Sequence, residues 1–220
     1  YLDPRVAMRQ AQPPREVRDI GVLGESVAPF LYRLKAEHPK RFAAIRRTMR
    51  AIVPSVEDLV VDLDKRRGTL DIVVRQGGIE YSSRIVSEGT LRVLALCAVA
   101  VNPWAGSLVA FEEPENGVHP RRIELIANLL FSLATEQKRQ VVVTTHSPLL
   151  CNAVIRLARN QPGSASLMAV RRSHTATAAH PLDASRPLFT DSELAQGMSS
   201  QAEDGLFEGL VMRGYFLCKR

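Results

Sequence analysis

Two adjacent carboxylates, Glu112 and Glu113, end the apolar run Leu108-Val109-Ala110-Phe111 and open a turn written Pro114-Glu115-Asn116-Gly117-Val118-His119-Pro120. An apolar segment running straight into acids places them at the end of a buried strand, where metal-assisted phosphate chemistry is done. Glu112 is the natural holder of a metal ion or of its water shell. Glu113, one residue on, points differently and could polarise an attacking water. A solvated acidic turn is the plainer alternative, and two flanking segments weigh against it. Ser87-Glu88-Gly89-Thr90 opens a long apolar helix, whose first N–H groups have no partners within the helix and sit at the positive end of its dipole. Ser87 and the amide of Gly89 could hold a phosphate oxygen there; equally, Ser87 could simply cap the helix with Glu88 in its first turn. His146 follows Val141-Val142-Val143-Thr144-Thr145, so it too stands at a strand's carboxyl end. A histidine there can reach a terminal phosphate or the attacking water, or be satisfied locally.

The elements that must position these residues are legible from periodicity. Helix-spaced Leu31, Leu34, Phe42, Ile45 and Met49 predict helices over 27–37 and 39–52, broken at His38-Pro39. Residues 56–64, 70–75 and 79–84 predict strands joined by hairpin-type turns at Lys65-Arg66-Arg67-Gly68 and Gln76-Gly77-Gly78. From Ser87 the pattern changes. A helix over 91–101 stops at Asn102-Pro103, a buried strand follows over 107–111, and an amphipathic helix runs over 120–134 with Ile123, Ile126, Ala127, Leu130 and Leu133 on one face. A second buried strand over 140–145 and a helix over 148–157 complete the alternation. Strands alternating with helices at this spacing imply βαβ units and a parallel sheet. Their continuous apolar runs suit a sheet covered on both faces. The first 24 residues read as an irregular connector with a short strand at most. Residues 166–172 and 175–182 could pair as strands, and 191–209 is acidic and partly helical in expectation. The expected organisation is a helical and antiparallel-strand part over 1–86, an α/β core over 87–160, and C-terminal strands and a helix over 161–220.

Composition bounds the rest. The 220 residues, 45% hydrophobic and 24% charged, are those of an ordinary globular protein able to bury a core without disulfides. Three isolated cysteines, Cys97, Cys151 and Cys218, without C-x-x-C spacing, point to a reducing compartment and to no zinc site. The net charge of +6 permits contact with nucleic acid without establishing it. Much of the excess lies in Arg41, Arg46, Arg47 and Arg50 on one helix and in the Lys65–Arg67 turn. Aromatic residues make up 5% of the chain and do not interleave with the basic ones, so no stacking platform for single strands is legible. The longest apolar run, 93–101, is far short of the roughly 20 residues a membrane span requires. With no apolar core at its start, the chain reads as cytoplasmic, and the lack of an initiating Met suggests the remainder of something longer.

Together these segments resemble the C-terminal part of an ATP-binding-cassette ATPase head of the RecF/SMC-like group, in particular the predicted AAA-family ATPases of bacteria. Ser87–Arg92 matches the signature motif, Leu108–Glu113 the Walker B strand, Pro114–Gly117 the D-loop and His146 the switch histidine. The resemblance covers roughly residues 1–150. It implies a P-loop NTPase-like fold with a mostly parallel sheet flanked by helices and an accessory antiparallel strand group. It also implies ATP and Mg²⁺ as cofactors and a second ATPase head as partner, with DNA and an effector protein as further partners and no membrane. By carry-over, Glu112 is the metal-side acid, and Glu113 and His146 are catalytic. Ser87, Glu88, Gly89 and Asn116 contact nucleotide, with Ser87 and Gly89 serving the γ-phosphate held by the opposite head. Two departures stand out. The metal-side acid is Glu where Asp is commoner, and no Gly-x-x-x-x-Gly-Lys-Ser/Thr loop occurs in the chain. The lobe carrying that loop is therefore expected before Tyr1. Two other readings remain open: a metal-dependent nuclease or hydrolase using Glu112, Glu113, Glu115, His119 and His146, and a non-catalytic scaffold module. The turn carrying Glu115 and His119 is expected to lead away from the strand.

Overall fold

The computed structural model describes residues 7–172 and 176–181, the side chains of Arg171 and Arg172 excepted. The chain divides into two compact units, one ending at Thr145 and the other beginning at His146.

In the first unit, α1 (Val27–Glu37) and α2 (Pro39–Ile52) form where the 3.6-residue period places them, and Pro39 occupies the first turn of α2. Leu31, Leu34, Phe42, Ile45 and Met49 are buried, as the helical spacing requires. A three-stranded antiparallel sheet follows, in the order β1 (Asp58–Asp64), β2 (Thr69–Gln76) and β3 (Ile79–Ser82). Alternation on β1 and β2 turns Leu59, Val61, Leu70, Ile72 and Val74 inward. At the first turn, Asp64 Oδ1 accepts from the amides of Arg66 (2.9 Å) and Arg67 (3.1 Å). At the second, Gly77 (φ 58°) and Gly78 (φ 74°) both take the left-handed region, as a two-residue hairpin loop demands. The N-terminal connector contributes one isolated bridge, Gln12 to Leu70.

The helix α3 (Glu88–Val101) is buried along almost its whole length, with Leu91, Val93, Leu94, Ala95, Leu96, Cys97 and Ala98 enclosed. Burial pushes the Cys97 thiol up to about 12, so it is a packing residue and not a nucleophile. Long side chains from elsewhere close the helix's C-terminal end. Arg139 donates to the carbonyls of Val99 (3.1 Å) and Asn102 (2.7 Å), Gln137 to that of Ala100 (2.9 Å) and Arg41 to that of Val101 (2.8 Å). Two of the three are cations at the negative end of a helix dipole.

Next come β4 (Leu108–Glu112), a 3₁₀ turn at Pro120–Arg122, α4 (Ile123–Thr135) and β5 (Gln140–Thr144). β4 and β5 pair in parallel, from Leu108 opposite Gln140 to Glu112 opposite Thr144. This β-α-β unit is the one the alternation predicts, and the buried face of α4 is the predicted set Ile123, Ile126, Ala127, Leu130 and Leu133. The expectation of cover on both faces is not met among the described residues. Val109, Phe111, Val141 and Val143 are at least half-buried, but Leu108 is 59% and Val142 49% exposed on the alternate positions.

The second unit begins with His146 and contains α5 (Pro148–Asn160), capped by Ser147, and the antiparallel pair β6 (Met168–Arg172) and β7 (Thr177–Pro181). The helical part expected within 191–209 and Cys218 lie outside the described residues. No helix among the described residues is long and apolar enough to cross a membrane.

Candidate functional site

β4 ends at Glu112, which is exposed, and the chain then turns sharply. The Glu113 amide donates to the Thr144 carbonyl at 2.9 Å, extending the parallel ladder by one bond. Glu113 itself sits at φ +44°, a left-handed conformation that costs a side-chain-bearing residue about 1–3 kcal/mol. Pro114 does not favour it, because a residue before proline is ordinarily pushed to the extended region at negative φ. The turn then closes on itself. Asn116 N donates to Glu113 O (3.0 Å), Val118 N to Glu115 O (3.0 Å), and Asn116 Nδ2 to Glu113 Oε2 (2.7 Å). The two acids thus leave the strand in different directions, Glu112 exposed in the last strand position and Glu113 half-buried in the turn.

The signature-like segment meets this turn. Ser87 caps α3: its Oγ accepts from Thr90 N at 3.2 Å and lies 2.8 Å from Thr90 Oγ1. Glu88 is paired with Arg92 one turn on, at 3.0 Å. Gly89 is buried against Gly117: a Cβ at position 89 would come within 2.1 Å of the Gly117 carbonyl oxygen, and one at 117 within 2.8 Å of the Gly89 Cα. Gly117 also holds φ +77°. The capping role of Ser87 is therefore real, and Ser87 remains exposed beside the free end of the helix. His146 is exposed and is the first residue of the second unit.

One residue of the turn corrects the expectation that it leads away from the strand. Glu115 is buried, and its Oε1 accepts a hydrogen bond from the Thr145 hydroxyl just past β5. The second oxygen, Oε2, is buried without a partner. A buried carboxylate oxygen left unsatisfied costs about 1–3 kcal/mol or more. His119 behaves differently. It is exposed and caps the 3₁₀ turn, with Nδ1 accepting from Arg121 N at 3.3 Å. No three His, Cys, Asp or Glu side chains among the described residues come together as a metal-holding group, which weighs against the five-residue nuclease arrangement. A Mg²⁺ ion is a different demand. It keeps several waters and needs only one or two carboxylates from the protein, so an exposed Glu112 at a strand's end fits it. The contacts of Glu115 with Thr145 and of Gly117 with Gly89 were hidden in sequence, since each depends on which residue it faces across the fold.

A carboxylate pair at the carboxyl end of a parallel strand, joined by a glycine contact to the start of a buried helix, is the arrangement that the resemblance to an ABC/AAA-type ATPase head implies. Residues 6–152 match the family described as "AAA domain, putative AbiEii toxin, Type IV TA system", and the chain belongs to it. No curated protein matches the chain. Among solved structures, it is similar to one described as "Structural biochemistry of ATP-driven dimerization and DNA stimulated activation of SMC ATPases", at 12% identity and a TM-score of 0.53, covering 75% of this chain and 97% of that one. It is also similar to an Smc head domain with a coiled coil and joint from Pyrococcus yayanosii, at 14% identity and a TM-score of 0.48, covering 80% of this chain and 34% of that one. A third is the SMC head domain from Thermotoga maritima, at 14% identity and a TM-score of 0.43, covering 71% of this chain and 52% of that one. The first of these supports a P-loop NTPase-like head fold, with a parallel pair beside an accessory antiparallel sheet.

Proposed function

We propose that these residues are the hydrolytic part of an ATPase head that closes on a second head around ATP. The observation that carries this reading is the turn after β4. It holds Glu112 exposed at the strand's end and Glu113 in a strained but hydrogen-bonded position, and it presses Gly117 against Gly89. In this reading Glu112 would hold Mg²⁺, and the ion would supply charge neutralisation at the phosphates. Glu113 accepts a proton from the attacking water, and His146 takes the switch-histidine role of the resembled family. Ser87 and the first amides of α3, those of Glu88 and Gly89, face the γ-phosphate held by the opposite head, where the helix dipole favours an anion. Because Glu88 carries a negative side chain paired with Arg92, its backbone is the part suited to phosphate. Asn116, bonded to Glu113, orients that acid and lies where a nucleotide would arrive.

This reading also requires a phosphate loop, and no Gly-x-x-x-x-Gly-Lys-Ser/Thr run occurs in these 220 residues. The exposed apolar positions Leu108 and Val142 on the parallel pair support a further layer there. Residues 1–86, 87–160 and 161–220 would then be three parts of one head. Coupling to DNA transactions or to phage defence, in the cytoplasm, is the role such a head would serve; the basic surface permits it. In the full protein with its phosphate loop, Glu113→Gln should lower kcat for ATP roughly 10²–10⁴-fold, the range for losing a general base, with ATP binding and thermal stability kept. Hydrolysis undiminished in that variant would reject the assignment.

A further inference from the structure

Glu115 is 9% exposed, one oxygen bonded to the Thr145 hydroxyl and the other buried without a partner. Packing alone would favour an apolar residue here, because replacing a buried polar pair by apolar groups of similar shape is often neutral or stabilising. The reason for an acid lies in what it grips. The end of β5 holds the turn at two successive residues: the Thr144 carbonyl accepts from the Glu113 amide, and the Thr145 hydroxyl donates to the Glu115 carboxylate. Between these two anchors the chain passes through the left-handed Glu113 and through Pro114. A strained conformation persists only where its surroundings over-determine it. The Glu113 amide bond fixes where the residue starts, and the Glu115–Thr145 bond fixes where the chain goes next.

We infer that Glu115 is a positioning residue: with Thr145 it clamps the turn after β4 so that Glu113 keeps its left-handed conformation and its carboxylate keeps its direction. The clamp rests on the ATPase reading for its consequence but not for its existence. It also makes the threonine that precedes His146 part of the machinery that aims Glu113. The Glu115 carboxylate does not touch substrate; it acts through the backbone.

The test uses the full protein with variants T145S, T145V, E115L and E115L/T145V. It reads steady-state ATP hydrolysis, thermal midpoint, and hydrogen exchange of the peptide spanning residues 113–118. T145S keeps the hydroxyl and should keep wild-type rates. T145V and E115L should each lower kcat by up to roughly a hundredfold with KM for ATP unchanged, the scale of misplacing a catalytic group by an ångström. The double variant should be no slower than either single one, and its thermal midpoint should equal or exceed that of the wild type. Exchange in the turn should be faster in all three. Wild-type exchange in T145V, multiplicative losses in the double variant, or losses of kcat that track the thermal midpoint would each overturn the clamp. If the wild type does not hydrolyse ATP, or if Glu113→Gln leaves hydrolysis intact, the ATPase reading fails. The exchange and stability results then still decide the clamp.

Discussion

Gly89 and Gly117 meet backbone to backbone, and this contact has no slack. A methyl group on residue 89 would lie 2.1 Å from the Gly117 carbonyl oxygen, and the obstacle is main chain, which cannot rotate away as a flexible side chain would. Gly89→Ala should therefore push the turn after β4 off the start of α3. The expected loss is about 1–3 kcal/mol of stability, the range for overpacking a close contact, together with most of the ATPase activity. Chemical denaturation alongside the hydrolysis assay checks both, and a fully stable, fully active variant would show that the contact can open freely. At this scale the sequence was partly transparent. Glu112, Glu113, Ser87 and Gly89 could be picked out because each stands at a boundary between an apolar run and a turn. Glu115 could not, because its partner Thr145 is 30 residues away and only the parallel pairing of β4 with β5 brings them together. Nor could the dependence of Gly89 on Gly117 be read from either residue alone.

The elements are held to one another by ion pairs and by arginines that donate to main-chain carbonyls. Arg46 of α2, for instance, donates to Asp58 at the start of β1 at 2.5 Å, and the Asp58 oxygen also accepts from the Leu59 amide at 2.8 Å. Burial pushes the Asp58 carboxyl up, but the bonds from Arg46 and Leu59 and the charges of Arg46 and Arg75 outweigh it and hold the group below its ordinary 3.8. A carboxylate depressed in the folded state stabilises the fold at pH values above 3.8, and that contribution is lost as pH falls through the folded value. Since the Arg46 side chain is 37% exposed, solvent screening limits the pair to about 1 kcal/mol or less. Asp58→Asn should thus be less stable than the wild type by that amount near pH 7, and the gap should close as the pH falls below 3.8 and through the lowered folded value. Urea titrations at both pH values measure it; a gap that persists in acid would assign the loss to packing. The boundaries of α1 and α2 follow the sequence because His38-Pro39 admits one reading. For α3 the apolar run marks the start three residues late, at Leu91, because the polar Glu88-Gly89-Thr90 already lies inside a helix capped by Ser87. β3 ends at Ser82, earlier than its alternation suggests, where the chain turns and the Ile85 amide bonds back to the Ser82 carbonyl.

At the scale of the whole molecule, the proposed site is divided between chains. In the proposed sandwich, Glu113 acts on the nucleotide of its own head, whereas Ser87 and the start of α3 serve the nucleotide of the other. The Gly89–Gly117 contact sets the start of α3 directly against the turn that carries Glu113, so the residues proposed for the two functions are neighbours within a head. The division can be read by complementation in the full protein. Ser87→Arg would block the phosphate-facing end of α3 with bulk while leaving Glu113 intact, and Glu113→Gln would do the reverse; each variant alone should be nearly inactive. Mixed in equal amounts, they should form mixed pairs about half the time by random association, and each such pair contains one site with an intact Glu113 facing an intact Ser87. One working site of two in half of the pairs gives about a quarter of wild-type hydrolysis, appearing only on mixing and rising with protein concentration. Activity that stays at the level of the separate variants would mean that Ser87 and Glu113 serve the same nucleotide, and the two-headed arrangement would have to be abandoned in favour of a site completed within one chain.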